Sequence, residues 1–230
     1  MSSARALQLS LSIGLVALLA VLGGPVPVAS GATITAYSSF GPGGTFDLFS
    51  SYAILGAGVD PFLTRELQAA SFVPTHGGPL TQVSLVMEFN TPGTNTVGLS
   101  LVPDVGGKPG TTPLETWTFS ALDPAVVGPI SPGVTGPITL AGNGAALVAG
   151  QKYWLVASPG AADTWVSWFL NDSGITAPHG VQDNGGAWDV QTLTQPVFSV
   201  AVPEPATLWV MAVGVVGAVV GRRRRRRRLA

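Results

Sequence analysis

The chain of 230 residues contains no cysteine. Disulfides therefore cannot staple the fold, and thiolate catalysis and Cys-ligated metals are excluded. Basic residues are nearly missing from the middle. Between residues 33 and 202 only Arg65, Lys108 and Lys152 are basic, against eleven acidic residues, a formal balance of −8. An anionic body repels phosphate backbones, so no nucleic-acid partner is expected. Glu, Lys and Arg are also too sparse for amphipathic helices, while Gly, Pro, Thr, Ser and Val are plentiful. That balance favours many short strands joined by tight turns, hence an all-β domain of about 170 residues, a usual size for one unit.

What the middle lacks, the ends supply. Arg5 precedes an apolar segment from Leu7 to Leu22, interrupted only by Gln8, Ser10, Ser12 and Gly14. Gly23 to Ala32 is then small and Pro-containing, as the approach to a cleavage site is. Residues 1–32 read as a signal peptide cut after Ala32, with a cut after Ser30 as the competitor and a retained anchor as the alternative.

At the other end Pro203, Glu204 and Pro205 precede a candidate transmembrane helix over 206–221, an apolar run from Ala206 to Val220 and then Gly221, and Arg222, Arg223, Arg224, Arg225, Arg226, Arg227 and Arg228 follow it. Fifteen helical residues rise roughly 22 Å, short of a hydrocarbon core of about 30 Å, but Trp209 and the long arginine side chains can reach the interfaces. The arginine block does not cross cheaply, so it halts export with the body outside. The prolines keep the junction extended and open to a processing enzyme.

This order of Pro-Glu-Pro motif, apolar helix and terminal Arg cluster resembles the PEP-CTERM sorting signal, here residues 203–230. The resemblance implies a sorting partner, an exosortase-type membrane protease that cuts near the motif. A plain C-terminal membrane anchor with a stop-transfer cluster is the alternative reading. Nuclear localisation is disfavoured because the arginines abut a membrane-length segment.

Residues 33–202 form the body. Thr81 to Phe89 alternates with Val83, Leu85, Met87 and Phe89 on one side, and Thr96 to Val102 continues the rule with Val97, Leu99 and Leu101. The two are expected to pair as a hairpin across a Thr91 to Asn95 turn. Asp104 to Pro113 reads as a Gly/Pro loop, and Leu114 to Ser120 as a strand with Glu115, Trp117 and Phe119 on one face. Ala121 to Gly136 reads as a surface excursion. Further strands are expected around Phe72 and over Ile138–Leu140, Tyr153–Ala157, Thr164–Leu170 and Val197–Ala201. The best-fitting architecture is an antiparallel β-sandwich of jelly-roll type between the signal peptide and a C-terminal transmembrane helix.

Several stretches are similar to the choice-of-anchor R domain. They include Tyr37 to Asp47 with Phe-Gly-Pro, Leu114 to Leu122 with Glu-x-Trp, and Ala149 to Ser158 with Tyr-Trp-Leu-Val, followed by Asp-Thr-Trp in Asp163 to Trp168. The resemblance implies a secreted or surface-attached β domain and carries over no catalytic residue.

Four groups in the body are candidates for chemistry. Asp163, Asp172, Asp183 and Asp189 could hydrolyse glycosides only as a pair held about 5 to 10 Å apart, and most sit beside turn residues. Asp172 and Asp183, in Asn-Asp-Ser-Gly and Asp-Asn-Gly-Gly stretches, are candidate ligands of a structural calcium, against ordinary Asx turns. His76 and His179 each precede a glycine and read as solvated loop residues. Trp154, Trp165, Trp168 and Trp188 are candidate sugar-stacking platforms for an extracellular polysaccharide, but strand alternation sends at least one of Trp165 and Trp168 into the core. Asn171-Asp172-Ser173 matches a glycosylation acceptor by chance composition.

The sequence thus points to a non-enzymatic envelope or extracellular-matrix protein without a cofactor. It is exported, held first in the inner membrane by its C-terminal helix, and sorted to the outer surface. A carbohydrate-binding module at the cell surface is the runner-up, and a secreted glycoside hydrolase the third reading.

Overall fold

A computed structural model describes residues 32–59, 64–90, 95–120 and 137–205. The signal-peptide segment up to Gly31, the excursion over 121–136 and the apolar-plus-arginine segment 206–230 lie outside the described residues. In chain order the strands are β1 (Thr33–Ser38), β2 (Asp47–Leu55), β3 (Glu66–Phe72), β4 (Gly78–Pro79), β5 (Gln82–Leu85), β6 (Met87–Phe89), β7 (Val97–Val105) and β8 (Lys108–Pro109). They continue as β9 (Glu115–Phe119), β10 (Ile138–Ala141), β11 (Ala146–Leu147), β12 (Tyr153–Pro159), β13 (Trp165–Leu170), β14 (Thr176–Asp183), β15 (Asp189–Thr194) and β16 (Phe198–Pro203). Among the described residues there is no helix, and they form an all-β fold with antiparallel sheets.

A small sheet has the order β1-β16-β5-β10. Period-two alternation builds it: Leu85 pairs with Phe198 and Ile138, and Val83 with Val200 and Leu140, all with buried side chains. The opposite face carries Gln82, Ser84 and Thr139, with the Gln82 amide donating to Ser84 Oγ at 2.9 Å.

The large sheet follows β6-β13-β2-β3-β12-β7, with β9 on β7 and β14 and β15 branching from β3, and curls as a half-barrel. Its inner residues, among them Ile54, Phe72, Leu99, Leu101, Phe119, Leu155, Val166 and Trp168, share one core with Val83, Leu85, Ile138, Phe198 and Val200 of the small sheet. Phe198 joins the layers, its ring 5.0 Å from that of Tyr37, 5.7 Å from Phe72 and 6.0 Å from Trp168. Burial pushes the Tyr37 hydroxyl pKa up to about 12.

The expected hairpin does not form. Thr81 to Phe89 divides at Val86: β5 joins the small sheet, and β6 pairs with β13 in the large one. β7 pairs instead with β12 and β9. Val83, Leu85 and Met87 all reach the core as alternation requires, so the period names the face but not the neighbour. The Gly/Pro loop after Asp104 is itself a two-residue hairpin, with Val105 opposite Lys108 and Gly106 and Gly107 at φ of 61° and 82°. Two left-handed residues in succession are what this turn requires.

Candidate functional site

The end of the body is built into the small sheet. β1 and β16 run antiparallel with Thr33 opposite Pro203, Ile34 opposite Val202 and Thr35 opposite Ala201. Val202 is fully buried, and the Ala201 carbonyl accepts from both Thr81 N and Thr81 Oγ1 at 3.0 Å. Past Pro203 the ladder ends, with Glu204 half-buried and Pro205 exposed. The motif read from sequence therefore begins on the last residue of the last strand. The arginines Arg222 to Arg228 lie outside the described residues.

The four tryptophans do not converge on one surface. Trp168 is buried in the shared core and donates from Nε1 to the Val197 carbonyl at 3.1 Å. Trp154 is equally buried on the other side of the large sheet, where Asp104 Oδ1 accepts its Nε1–H at 2.7 Å. Trp188 is half-buried against Trp154, Ala69 and Val102, and Trp165 keeps 37% exposure opposite the core-facing Val166 and Trp168. Stacking on a sugar needs an exposed ring face, so Trp154 and Trp168 are unavailable for it.

Asp172 and Asp183 are exposed, Asp172 in the loop before β14 and Asp183 at its far end, with the strand spanning roughly 25 Å of extended chain. One cation cannot bridge them. Asp183 opens a turn through Asn184 and Gly185, both with positive φ, in which Arg65 N donates to Asn184 Oδ1 and Asn184 N to the Arg65 carbonyl. Asn171 is buried. Its Nδ2 donates to the carbonyls of Ile175 and Gln195, and its Oδ1 accepts from Ile175 N and Ser173 Oγ, which makes it an Asx-type loop anchor. Among the described residues no group of three or more His, Cys, Asp or Glu could hold a metal ion.

His76 is exposed, as its loop predicts. His179 is not the solvated loop residue expected: it lies fully buried in β14, opposite Ala70 of β3. Gln68 Nε2 spends both protons on acceptors, the Ala53 carbonyl at 2.8 Å and Glu66 Oε1 at 2.5 Å. Gln68 Oε1 must then accept from His179 Nε2, 2.7 Å away, which fixes the Nε2–H tautomer. Tyr52 stacks on the imidazole at 4.0 Å and donates from its hydroxyl to the Thr194 carbonyl. His179 Nδ1 and Gln195 Oε1 are buried without partners. Burial pushes the His179 pKa down to about 4, while burial and the nearby Asp183 carboxylate raise that of Glu66.

Sequence reading missed this knot because Gln68 and His179 are polar residues in segments with no clean alternation. The one available signal was the Val-Gln pair after Pro-His-Gly, which extends β14 into a strand. The knot links β2, β3 and β14, with Gln68 and His179 buried and Tyr52 stacked over the imidazole.

The closing strand β16 of the body runs directly into Pro-Glu-Pro. Residues 201–226 match the PEP-CTERM protein-sorting motif. The motif implies an exosortase-type sorting partner and a place at the cell-envelope surface. No curated protein matches the chain, and the similarity of the body to the choice-of-anchor R domain finds no support.

Proposed function

We propose that this chain is an exported envelope or extracellular-matrix protein whose β body does no catalysis and is delivered to the outer surface through its tail. Before processing, the apolar segment 206–221 holds it in the inner membrane, and Arg222 to Arg228 keep the end cytoplasmic. The observation that carries this reading is the match over residues 201–226 starting within the last strand of a folded, anionic domain.

Intact-mass analysis of the protein recovered from envelope and medium tests the proposal, with the wild type compared against a chain whose seven arginines are replaced by glutamine. Loss of roughly the last 25 residues only when the arginines are present is the expected outcome. A wild-type chain that retains its whole C-terminus would leave a simple anchor. The exposed part of Trp165 and the half-buried Trp188 favour polysaccharide binding as the second reading. Failure of the wild type to be retained on a polysaccharide column would remove it, and retention lost in Trp165→Ala and Trp188→Ala would support it.

A further inference from the structure

The sorting-motif match and the folded body overlap. The match starts at Ala201, and β16 runs to Pro203, so Ala201, Val202 and Pro203 belong to both. All three are held in the sheet. β1 pairs with them through Thr35, Ile34 and Thr33, Thr81 occupies the Ala201 carbonyl twice, and the Val202 side chain is fully buried. On the other flank Gly78 lies beside Val202 and Pro203.

A protease takes its substrate as an extended chain, and backbone already committed to a ladder is cut only when it opens. Along this chain the first exposed residue after the body is Pro205. The strand that would have to peel away is β1, whose first residue, Thr33, directly follows Ala32, the expected signal-peptide cut. Thr33, next to the expected signal-peptide cut, and Pro203, the first residue of the sorting motif, are therefore cross-strand neighbours.

We infer that β1 is a clamp that sets the boundary of tail processing: it keeps Ala201, Val202 and Pro203 out of the sorting enzyme's cleft, so the cut falls on the tail side of Glu204 and leaves β16 whole. The step breaks one peptide bond, leaving its carbonyl carbon on the body for water or another nucleophile and its amine on the tail. The inference rests on the sorting reading above and adds to it a determinant that lies in the fold, outside the motif and the helix. Thr33, Ile34 and Thr35 are positioning residues here, since they touch the segment next to the cut and not the scissile bond.

Two measurements on the full chain test it. In a host with the sorting enzyme, pulse-chase and terminal mass compare the wild type with a chain carrying six flexible residues inserted between Val202 and Pro203. The clamp predicts a mature wild-type body ending at Glu204 or later, and tail loss several-fold faster once the insertion lifts the motif off the sheet. A wild-type body ending before Pro203, or equal rates in the two chains, overturns the clamp while the sorting reading stands. A wild-type tail that is never removed overturns the sorting reading, and the second measurement then judges the clamp alone. Purified full chain is digested briefly with a non-specific protease. A surviving fragment that keeps Val202 supports the clamp, as does its shortening to before Ala201 in Ile34→Pro, and a wild-type fragment trimmed into β16 refutes it. Should Ile34→Pro fail to fold, the wild-type fragment end still decides.

Discussion

Val83 in the small sheet and Gln68 in the large one lie equally deep, at 0% and 1% exposure, yet they hold their surroundings by different means. Val83 stands in an aliphatic row with Val200 and Leu140, where position follows from alternation and the stabilisation from area removed from water. Gln68 stands in a chain of hydrogen bonds from Glu66 to His179, in which every removed partner strands another buried polar atom. The first region should respond to lost volume and be indifferent to pH. The second should respond to protons.

The sharpest way to break the contrast is to remove a ring where the two sheets meet. Trp168→Ala empties a fully buried indole site packed on Phe198 and should lower stability by about 3–5 kcal/mol, read as a shift in the denaturant midpoint. A shift below about 1 kcal/mol would mean that the layers are not joined there.

The next effect is acid sensitivity. The folded-state pKa of His179 is pushed from the ordinary 6.5 down to about 4, so between these values the unfolded chain binds more protons than the folded one. The stability contributed by the neutral ring is whole above pH 6.5 and is lost as pH falls toward 4, by up to about 3 kcal/mol. Glu66 acts in the opposite sense: its raised pKa gives a contribution present in acid and lost as pH rises through the folded value. Denaturant midpoints at pH 7 and pH 4.5 should therefore diverge in the wild type and converge in His179→Phe, which keeps a ring under Tyr52. An equal acid loss in both chains would assign the effect elsewhere.

The smallest expected effect sharpens the comparison from outside. His76→Ala, in an exposed loop, should change stability by no more than about 0.5 kcal/mol at either pH. Two histidines, each followed by glycine, would then differ in their response only because one lies in β14.

Those two histidines also mark how far the sequence could be read. The apolar faces of β5, β7, β9 and β13 were legible, because a period of two assigns sides without knowledge of the neighbour. Pairing was not. The division at Val86, the placement of β7 beside β12, and the strands β2, β14 and β15 depend on contacts between distant segments that no local pattern encodes. The end of the body was legible at both levels, since Pro-Glu-Pro chemistry is local and the apolar alternation of Phe198, Val200 and Val202 is clean. What sequence alone did not reveal is that these two signals share residues.

Because Thr33 and Pro203 are cross-strand partners, their α-carbons lie within about 5 Å of each other. The body could be ligated into a ring with a linker of very few residues and reopened at an exposed hairpin such as Gly106-Gly107, a circular permutation that leaves every ladder intact. Left unopened, the ring would present no loose end to an exopeptidase.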